Sequence, residues 1–355
     1  MRKCLLNCLV AGSLILITAC STTHQLSINT IAPAEVDLAR NIKRIGIINS
    51  SIPSERAEYK DRLGQILASE DKELAKQGTD AAINGLFEEL ANDQRFEEIL
   101  LLEDVPEVMK GISPVPDANS WNTIETLCQM HDVDAIFSLA YYDTDTKISL
   151  KNTKMQERDL VRDYVEVKAH EITLETLIEN GWRIYDPQNK EIIDEFTFND
   201  QVTASAKGIS PMRALRAVTD RKDSILQKSM NTGSAYGSRL QPSKQVIVRE
   251  YYISGTDRLV EADKLAQNED YDAAKLLWEQ DVEHVNAKIR ARACHNLAVI
   301  NEYKGDLENA VDWASKSNDH AKSKITKKYI EALQHRIAQK EVLAQQLTYG
   351  SILGR

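Results

Sequence analysis

The chain has 355 residues, 42% of them hydrophobic, and a formal net charge of −10. This length allows a folded protein of two ordinary domains. The acidic balance excludes nucleic acid as the expected partner, because phosphates require a clustered basic face. The sequence contains no Walker-type phosphate loop, no Gly-x-Ser-x-Gly elbow, no His-Glu-x-x-His and no Cys-x-x-Cys. We therefore predict no catalytic residues, no metal site and no cofactor.

The first twenty residues are organised like a secretory signal. Arg2 and Lys3 precede about thirteen mostly apolar residues, which are too few to span a bilayer. The run Ile17-Thr18-Ala19-Cys20 resembles the lipobox of bacterial lipoproteins, which implies cleavage before the cysteine and acylation of the cysteine itself. We predict a signal peptide at 1–19 and a lipidated Cys20.

The predicted anchor places the chain on a membrane. Two or more acyl chains hold a protein stably on a bilayer, whereas one chain holds it only marginally. Removal of 1–19 leaves 336 residues and a net charge of −12, so the acyl groups must supply the affinity for lipid. Residues 20–25 form a short lipidated tether. Ser21 follows the cysteine where an acidic residue could stand, which favours the outer membrane, with the protein facing the periplasm.

Two cysteines, Cys128 and Cys294, remain once the signal and the lipidated residue are set aside. Each lies on a helical apolar pattern, which is typical of a small core residue. An exported chain can form disulfides, so a bridge between the two is the alternative. We favour buried thiols because the two residues fall in different predicted domains.

Residues 26–254 are predicted to form a mixed α/β domain. Its first half has the order βαβαβ, which is typical of helices packed on a mixed sheet. The predicted elements of this half are strands at 26–31, 42–49, 96–102 and 135–140, a helix opened by Gly78-Thr79 after a polar stretch, and a helix capped by Ser120.

The second half of this domain is predicted to be mainly antiparallel. A long alternating run at 164–177 changes parity between Ala169 and Ile172, which predicts a β-bulge. Strands at 182–185 and 191–196 flank a tight turn.

One long helix and one strand complete the prediction for this domain. Ser210-Pro211 opens the helix, and Pro242 stops it. Gly233 and Gly237 are expected to loosen or kink the helix near its end. A strand at 246–252 closes the domain.

Residues 255–347 carry an almost wholly helical pattern, and a tail follows at 348–355. Two helices open 36 residues apart, at Tyr271 and Leu307, each after an aspartate. The small residues near Gly305-Asp306 resemble the tetratricopeptide repeat, in which paired helices cross closely. The resemblance implies an all-α repeat domain closed by a capping helix at 324–347. Asn301 and Ser317 depart from the repeat pattern, which usually has an aromatic residue and an alanine at those positions.

A short solenoid of this kind offers the inner face of its first helices as a groove for an extended peptide or for a helix of another protein. The alternative is that this face is solvated and that the repeats only pack on the first domain. The residues predicted to line the groove are Arg292, His295, Val299, Glu302, Tyr303 and Arg336.

Carboxylates of the first domain are the basis of an alternative function, an envelope hydrolase or sugar-acting enzyme. Asp132 and Asp134 follow His131 where a helix ends, and Asp143 follows a strand. Glycoside chemistry would need two such acids about 5 to 9 Å apart in a cleft. The structural alternative is that His131 interacts favourably with the dipole at the C-terminal end of the helix and that the aspartates lie in solvated loops. His170-Glu171, at the predicted bulge, is equally well explained by a sheet edge.

Four segments together look like a family of uncharacterised bacterial lipoproteins that end in tetratricopeptide repeats. The segments are the lipobox, Ile45 to Asn49, Trp182 to Pro187 and Ala235 to Pro242. The strand order is also distantly similar, at the level of the fold, to envelope assembly factors of the curli-secretion lipoprotein type. The resemblance implies location and architecture but no activity. We expect a non-enzymatic protein-binding or scaffold lipoprotein whose groove presents to an unknown envelope protein or peptide; a spacer without a groove is a third possibility.

Overall fold

The structure, a computed structural model, describes residues 22–52, 62–103, 106–110, 116–158 and 164–352. The signal peptide at 1–19, Cys20 and residues 353–355 lie outside these ranges. The strands are β1 (Thr23–Ala32), β2 (Arg44–Asn49), β3 (Glu98–Leu101), β4 (Ala135–Arg158), β5 (Tyr164–Asp186), β6 (Glu191–Gly208) and β7 (Ser243–Tyr252). The helices are α1 (Arg62–Ala91), α2 (Ala118–His131), α3 (Pro211–Arg216), α4 (Arg221–Ser238), α5 (Asp257–Gln267), α6 (Tyr271–Asp281), α7 (Ala287–Tyr303), α8 (Leu307–His320) and α9 (Lys324–Ile352).

A mixed five-stranded sheet with helices precedes a stretch of helices, so the predicted fold class is confirmed at that level. The strand order is β3-β2-β4-β5-β6. Strand β2 is parallel to both β3 and β4, as the βαβαβ order predicts. Strands β4, β5 and β6 pair antiparallel, as predicted for the second half.

Both faces of the sheet are covered by helices, and side chains of β2 are buried alternately on the two faces. Ile47 packs with Leu86 of α1 and with Tyr236 of α4, in a core where Trp182 stacks on Tyr236 at a ring-centroid distance of 5.4 Å. Ile48 packs on the other face with side chains of α2. Trp182 and Tyr185 are both buried.

Helices α1 and α4 cross at glycines. A Cβ atom on Gly233 would lie 1.9 Å from the carbonyl oxygen of Ala82, and one on Gly85 would lie 2.0 Å from that of Met230. The expected loosening or kink of the helix at Gly233 and Gly237 is therefore wrong: α4 continues through both residues to Ser238. The missing side chains instead allow two backbones to approach closely.

Two helix starts differ from the prediction. Helix α1 begins at Arg62, so Gly78-Thr79 lies inside it rather than at its start. The cap of α2 is Asp117, whose side chain accepts a hydrogen bond from the Ser120 backbone N–H; Ser120 itself lies in the first turn.

Three further details of the mixed sheet differ from the prediction. Strand β4 continues to Arg158, so Asp143 lies within a strand and not in a loop. Pairing is regular between Ala169 and Ile172, and the register shifts lie instead between Leu139 and Tyr141 on β4 and next to Ile184 on β5.

The single long helix predicted from Ser210-Pro211 is two helices. The predicted cap is confirmed, because the Ser210 side chain accepts a hydrogen bond from the Arg213 backbone N–H. Helix α3 ends at Arg216, and α4 starts after Asp220, which has a φ of 60°. A left-handed residue interrupts a helix, so the chain changes direction there.

The chain divides into two compact units. Of the described residues, 22–31 and Lys244–Glu341 form one unit, the helical unit, and those within 32–243 together with 342–352 form the other, the mixed unit. Strands β1 and β7 pair as a separate two-stranded sheet within the helical unit. The sequence assigns both strands to the mixed domain at 26–254, so the structure moves them to the other unit.

In the helical unit, α5 packs on α6, α6 on α7 and α7 on α8. Asp270 and Asp306 cap α6 and α8 as predicted. Helix α9 runs to Ile352, so most of the predicted tail at 348–355 is helical. None of the helices in the described part of the chain is long and apolar enough to cross a membrane.

Both described cysteines, Cys128 and Cys294, are buried free thiols, as favoured over a disulfide. Burial raises the pKa of Cys128 to about 12 and that of Cys294 to about 11. At neutral pH both thiols are therefore protonated core groups.

Candidate functional site

Strand β7 lies on the face of α7. The side-chain oxygen of Asn296 accepts from the backbone N–H of Tyr252 at 2.6 Å, and its amide nitrogen donates to the carbonyl oxygen of the same residue at 2.7 Å. Asn296 is fully buried. One side chain thus satisfies both backbone groups of a strand residue, as a neighbouring strand would.

A buried carboxylate ties β7 to two helices. Glu302 of α7 accepts two hydrogen bonds from Arg249 of β7, at 2.8 and 2.9 Å, one from the Tyr329 hydroxyl at 2.8 Å and one from Arg336 of α9. Burial alone would raise the pKa of Glu302, but the bonds from Arg249 outweigh it, and the pKa lies below the ordinary value of 4.5. Glu302 is a structural anion with its positive partners in place.

Arg292 and His295 of α7 also contact the backbone of β7 or of the loop that follows it. Arg292 donates to the carbonyl oxygen of Ser254, and the His295 Nε2 lies 2.9 Å from that of Glu250. The His295 ring packs against Tyr252, with ring centroids 5.2 Å apart. Burial lowers the pKa of His295 below 6.5, so the imidazole is neutral at pH 7 and its Nε2–H donates to the carbonyl.

The six residues predicted to line a groove are thus brought together mostly around segments of the same chain. Arg292, His295, Glu302 and Arg336 bond to β7, to α9, to each other or to the loop after β7. Val299 is only 2% exposed, while Tyr303 is 41% exposed. The face predicted to be open is covered because β7, which the sequence assigns to the other domain, packs on it.

An open cavity of about 780 Å³ lies beside this covered face, at β1. Among the described residues that line it, Glu250 and Glu269 are acidic and none is a lysine or an arginine. Tyr271 and Tyr303 stand at its wall with ring centroids 4.7 Å apart. The remaining lining residues are Thr23, His24, Gln25, Leu26, Ser27, Asn29, Tyr251, Ala266 and Gln267.

A hydrogen-bonded cluster holds one end of the cavity. His24 Nδ1 lies 2.8 Å from an oxygen of Asp263, and the Tyr251 hydroxyl donates to the same oxygen at 2.9 Å. Gln267 donates to the other Asp263 oxygen at 3.1 Å. Burial and the bond to Asp263 raise the pKa of Tyr251, so this phenol stays protonated. The cluster fixes the start of β1 on α5.

Sequence reasoning singled out Tyr303 but missed Glu250, Glu269 and Tyr271 as members of one cavity. Tyr271 is the first residue of α6 and Tyr303 is the last residue of α7, which is a signal that the sequence pattern offers. The two glutamates line the same cavity because β7 packs on the helices, and no local sequence pattern predicts this packing.

The carboxylates of the enzyme alternative are engaged separately. Asp134 accepts hydrogen bonds from the backbone N–H groups of Lys43 and Arg44, at 2.7 and 2.8 Å, which joins α2 to the start of β2. Asp132 contacts the Arg44 guanidinium. Asp143 lies in β4, where it accepts from the Thr144 backbone N–H at 2.8 Å. None of the three acids lines the cavity at β1.

The other candidates belong to regular structure. His131 is the last residue of α2, as expected of a histidine that interacts favourably with the dipole at the end of a helix. His170 and Glu171 occupy regular paired positions of β5. Within the described ranges, no group of three or more His, Cys, Asp or Glu side chains is placed to hold a metal ion.

Comparison with family models shows where the chain belongs. Residues 42–252, more than half of the chain, match the family described as "Domain of unknown function (DUF8603)". The chain is a member of that family. Residues 260–335 match a second description, "Domain of unknown function (DUF6340)". No curated protein matches the chain.

Solved structures give only distant likenesses. A PelC dodecamer from Paraburkholderia phytofirmans is 10% identical, with a TM-score of 0.23, and the match covers 61% of this chain and 98% of that one. A neuraminyllactose-binding hemagglutinin homologue from Helicobacter pylori is 8% identical, with a TM-score of 0.22, and the match covers 55% of this chain and 83% of that one. At these TM-scores the likenesses carry no conclusion.

Proposed function

We propose that the protein is a non-enzymatic binding lipoprotein of the cell envelope, in which the helical unit captures an extended, basic segment of a partner protein. An acylated Cys20 anchors it to the outer membrane, facing the periplasm. The observation that carries the proposal is the acidic cavity beside β1, whose described lining residues include two glutamates and no lysine or arginine.

The strand edge at this cavity supports an extended partner. Among the described strands, β1 pairs only with β7, so one edge of β1 is not used by the two-stranded sheet. An extended peptide can add to such an edge through main-chain hydrogen bonds, and pockets for alternate side chains then give specificity. Leu26 and Ile28 are buried on the helices, which holds β1 firmly in place.

The side chains at the cavity support a cationic partner. Glu250 and Glu269 attract a lysine or arginine, and an exposed ion pair contributes about 0.2–1 kcal/mol. The Tyr271 and Tyr303 rings offer faces that favour a guanidinium or an ammonium group by about 0.5–1 kcal/mol each. The same charges repel acidic segments, which gives selectivity.

The repeat-like arrangement of α5 to α9 fits this role. We propose that α5–α6 and α7–α8 are tetratricopeptide-like helix pairs and that α9 caps them. Their inner face holds β7 through Asn296, so this face is chemically suited to an extended backbone. The partner then extends the strand layer that β7 and β1 begin, and an open groove is not needed.

Selection of random dodecapeptides on the immobilised purified protein tests the proposal. We expect enriched peptides to alternate lysine or arginine with β-branched residues. The counter-target is the double variant Glu250→Gln, Glu269→Gln, which keeps the shape of the cavity but removes its charge. Enrichment of acidic peptides, or equal retention on the double variant, would overturn the proposal.

A further inference from the structure

A second cavity, of about 490 Å³, lies in the mixed unit between α1, β5 and the segment that joins α3 to α4. Its floor is apolar, because Leu74, Leu174 and Leu215 line it and each is at most 7% exposed. This volume is ordinary for a small-molecule site. All of its described lining residues lie within the family-matched residues 42–252, and none of them lines the cavity at β1.

A buried arginine stands at the back of this cavity. Arg221 is 6% exposed, and its guanidinium donates to Thr176 Oγ1 at 3.1 Å, to Thr146 Oγ1 at 2.7 Å and to buried Asp71. These bonds fix the start of α4 against α1 and β5. Its Nη1 lies 3.8 Å from Glu70 Oε2, which is beyond hydrogen-bond distance but within ion-pair distance.

The two walls of the cavity carry charges of opposite sign at its rim. Glu70 and Glu73 are three residues apart on α1, so they share one face of that helix. Arg216 and Lys222 stand on the wall formed by the α3–α4 segment, with Asp220 between them. Asp71 is the hydrogen-bonded partner of Arg221, and Glu70 lies at ion-pair distance from it, so the α1 wall has a net negative charge. Arg216 and Lys222 outnumber Asp220, so the opposite wall has a net positive charge.

The start of α4 adds to the positive wall. Its N-cap, Asp220, makes no side-chain hydrogen bond to the first turn. The Arg221 backbone N–H donates to the Thr219 carbonyl oxygen at 2.6 Å, and Asp223 lies in the first turn. The helix dipole places positive potential at this end of α4. A carboxylate at this wall would meet Arg216 and Lys222 near the start of the helix.

We propose that this cavity binds a short apolar peptide with free termini, its α-ammonium at Glu70 and Glu73 and its α-carboxylate at Arg216, Lys222 and the start of α4. The apolar side chains rest on the leucine floor. A ligand with one charge would leave the charges of the other wall without a partner while covering them from water, which costs free energy. The two oppositely charged walls therefore favour a ligand that carries both an ammonium group and a carboxylate. This inference is independent of the function proposed for the helical unit.

Isothermal titration calorimetry of the purified full-length protein with leucyl-leucine tests the ligand class. Two probes each lack one charge: N-acetyl-leucyl-leucine, which is larger by an acetyl group, and leucyl-leucine amide, which keeps the size of the dipeptide. We expect both to bind about tenfold more weakly than the free dipeptide, since each loses one charged contact. Equal affinity for all three probes, or no heat with leucyl-leucine at millimolar concentration, would overturn the proposal.

Two exposed substitutions locate the contacts. Glu73→Gln should weaken leucyl-leucine by about tenfold and erase the preference over the N-acetyl probe. Lys222→Gln should weaken it similarly and erase the preference over the amide probe. Glu88→Gln, an exposed acid elsewhere on α1, is the matched control and should bind as the unchanged protein does. Circular dichroism verifies the fold of each variant, and binding by both cavity variants at the affinity of the control would contradict the assignment.

Discussion

The Asn296 side chain forms two hydrogen bonds, of 2.6 and 2.7 Å, with the backbone N–H and carbonyl oxygen of Tyr252. A helix side chain therefore takes the place of a neighbouring strand along one residue of β7. Together with the bonds from Glu302 to Arg249, this pair makes β7 part of the helical unit. The position of β7 in turn brings Glu250 to the cavity at β1.

Asn296→Ala should destabilise the helical unit by about 2–3 kcal/mol, because two buried backbone groups of Tyr252 lose their partner. Chemical unfolding, followed by circular dichroism, measures the loss. Gln334→Ala, at an exposed position of α9, should cost no more than about 0.5 kcal/mol. Equal costs for the two variants would contradict the role of Asn296.

Glu302→Gln should cost about 3 kcal/mol at neutral pH, because it leaves the partly buried Arg249 and Arg336 without their anion. The pKa of Glu302 is lowered in the folded protein, so its contribution to stability is complete above the unfolded value of about 4.5 and is lost as pH falls through the folded value. The stability difference between the two proteins should therefore shrink only in acid. Glu331→Gln, exposed on α9, is the control, and a difference that shrinks already above pH 5 would contradict the assignment.

Gly233→Ala should destabilise the mixed unit by about 3 kcal/mol or more, since the new methyl group would lie 1.9 Å from the carbonyl oxygen of Ala82 and force α1 and α4 apart. Gly305→Ala separates this steric effect from backbone strain. Gly305 has a φ of 80° and no atom within 4 Å of the added methyl group, so it should cost only about 1–2 kcal/mol. Thermal unfolding of both variants makes the comparison, and equal costs would argue against the close crossing.

Cys20→Ala should abolish lipid labelling and release the protein from membranes, because the acyl chains provide the proposed anchor. Growth with an alkyne-modified palmitate, followed by coupling of a fluorophore to the alkyne, measures the label, and sedimentation measures the membrane fraction. Cys128→Ala is the control, since that thiol is buried and should not be acylated. Label that persists in Cys20→Ala would contradict the anchor.

The parallel part of the sheet could be predicted because its signals are local. Ile45, Ile47 and Ile48 form a short β-branched run, and such runs mark a strand buried on both faces. The caps at Asp270 and Asp306 were equally local. Helix α1 was predicted too short because its first half is polar, although Leu63, Leu67 and Leu74 have helical spacing there.

The candidate site could not be predicted in the same way. The alternating pattern of β7 shows that one face is buried, but not which core buries it. Assigning β7 to the mixed domain left the face of α7 empty in the prediction, so Arg292, His295, Glu302 and Arg336 were expected to face a groove. The pairing of β1 with β7 joins segments more than two hundred residues apart, and sequence spacing carries no signal for it.

Photo-crosslinking in cells tests the central claim most directly. A benzoylphenylalanine at Gln25, exposed on β1 at the acidic cavity, should give a discrete adduct whose crosslinked peptide is an extended segment rich in lysine or arginine. The adduct should disappear in the Glu250→Gln, Glu269→Gln double variant and should not form from Val285, which is 94% exposed in the same unit but away from the cavity. An adduct that survives the double variant, forms equally from Val285 or fails to form at Gln25 would contradict the account.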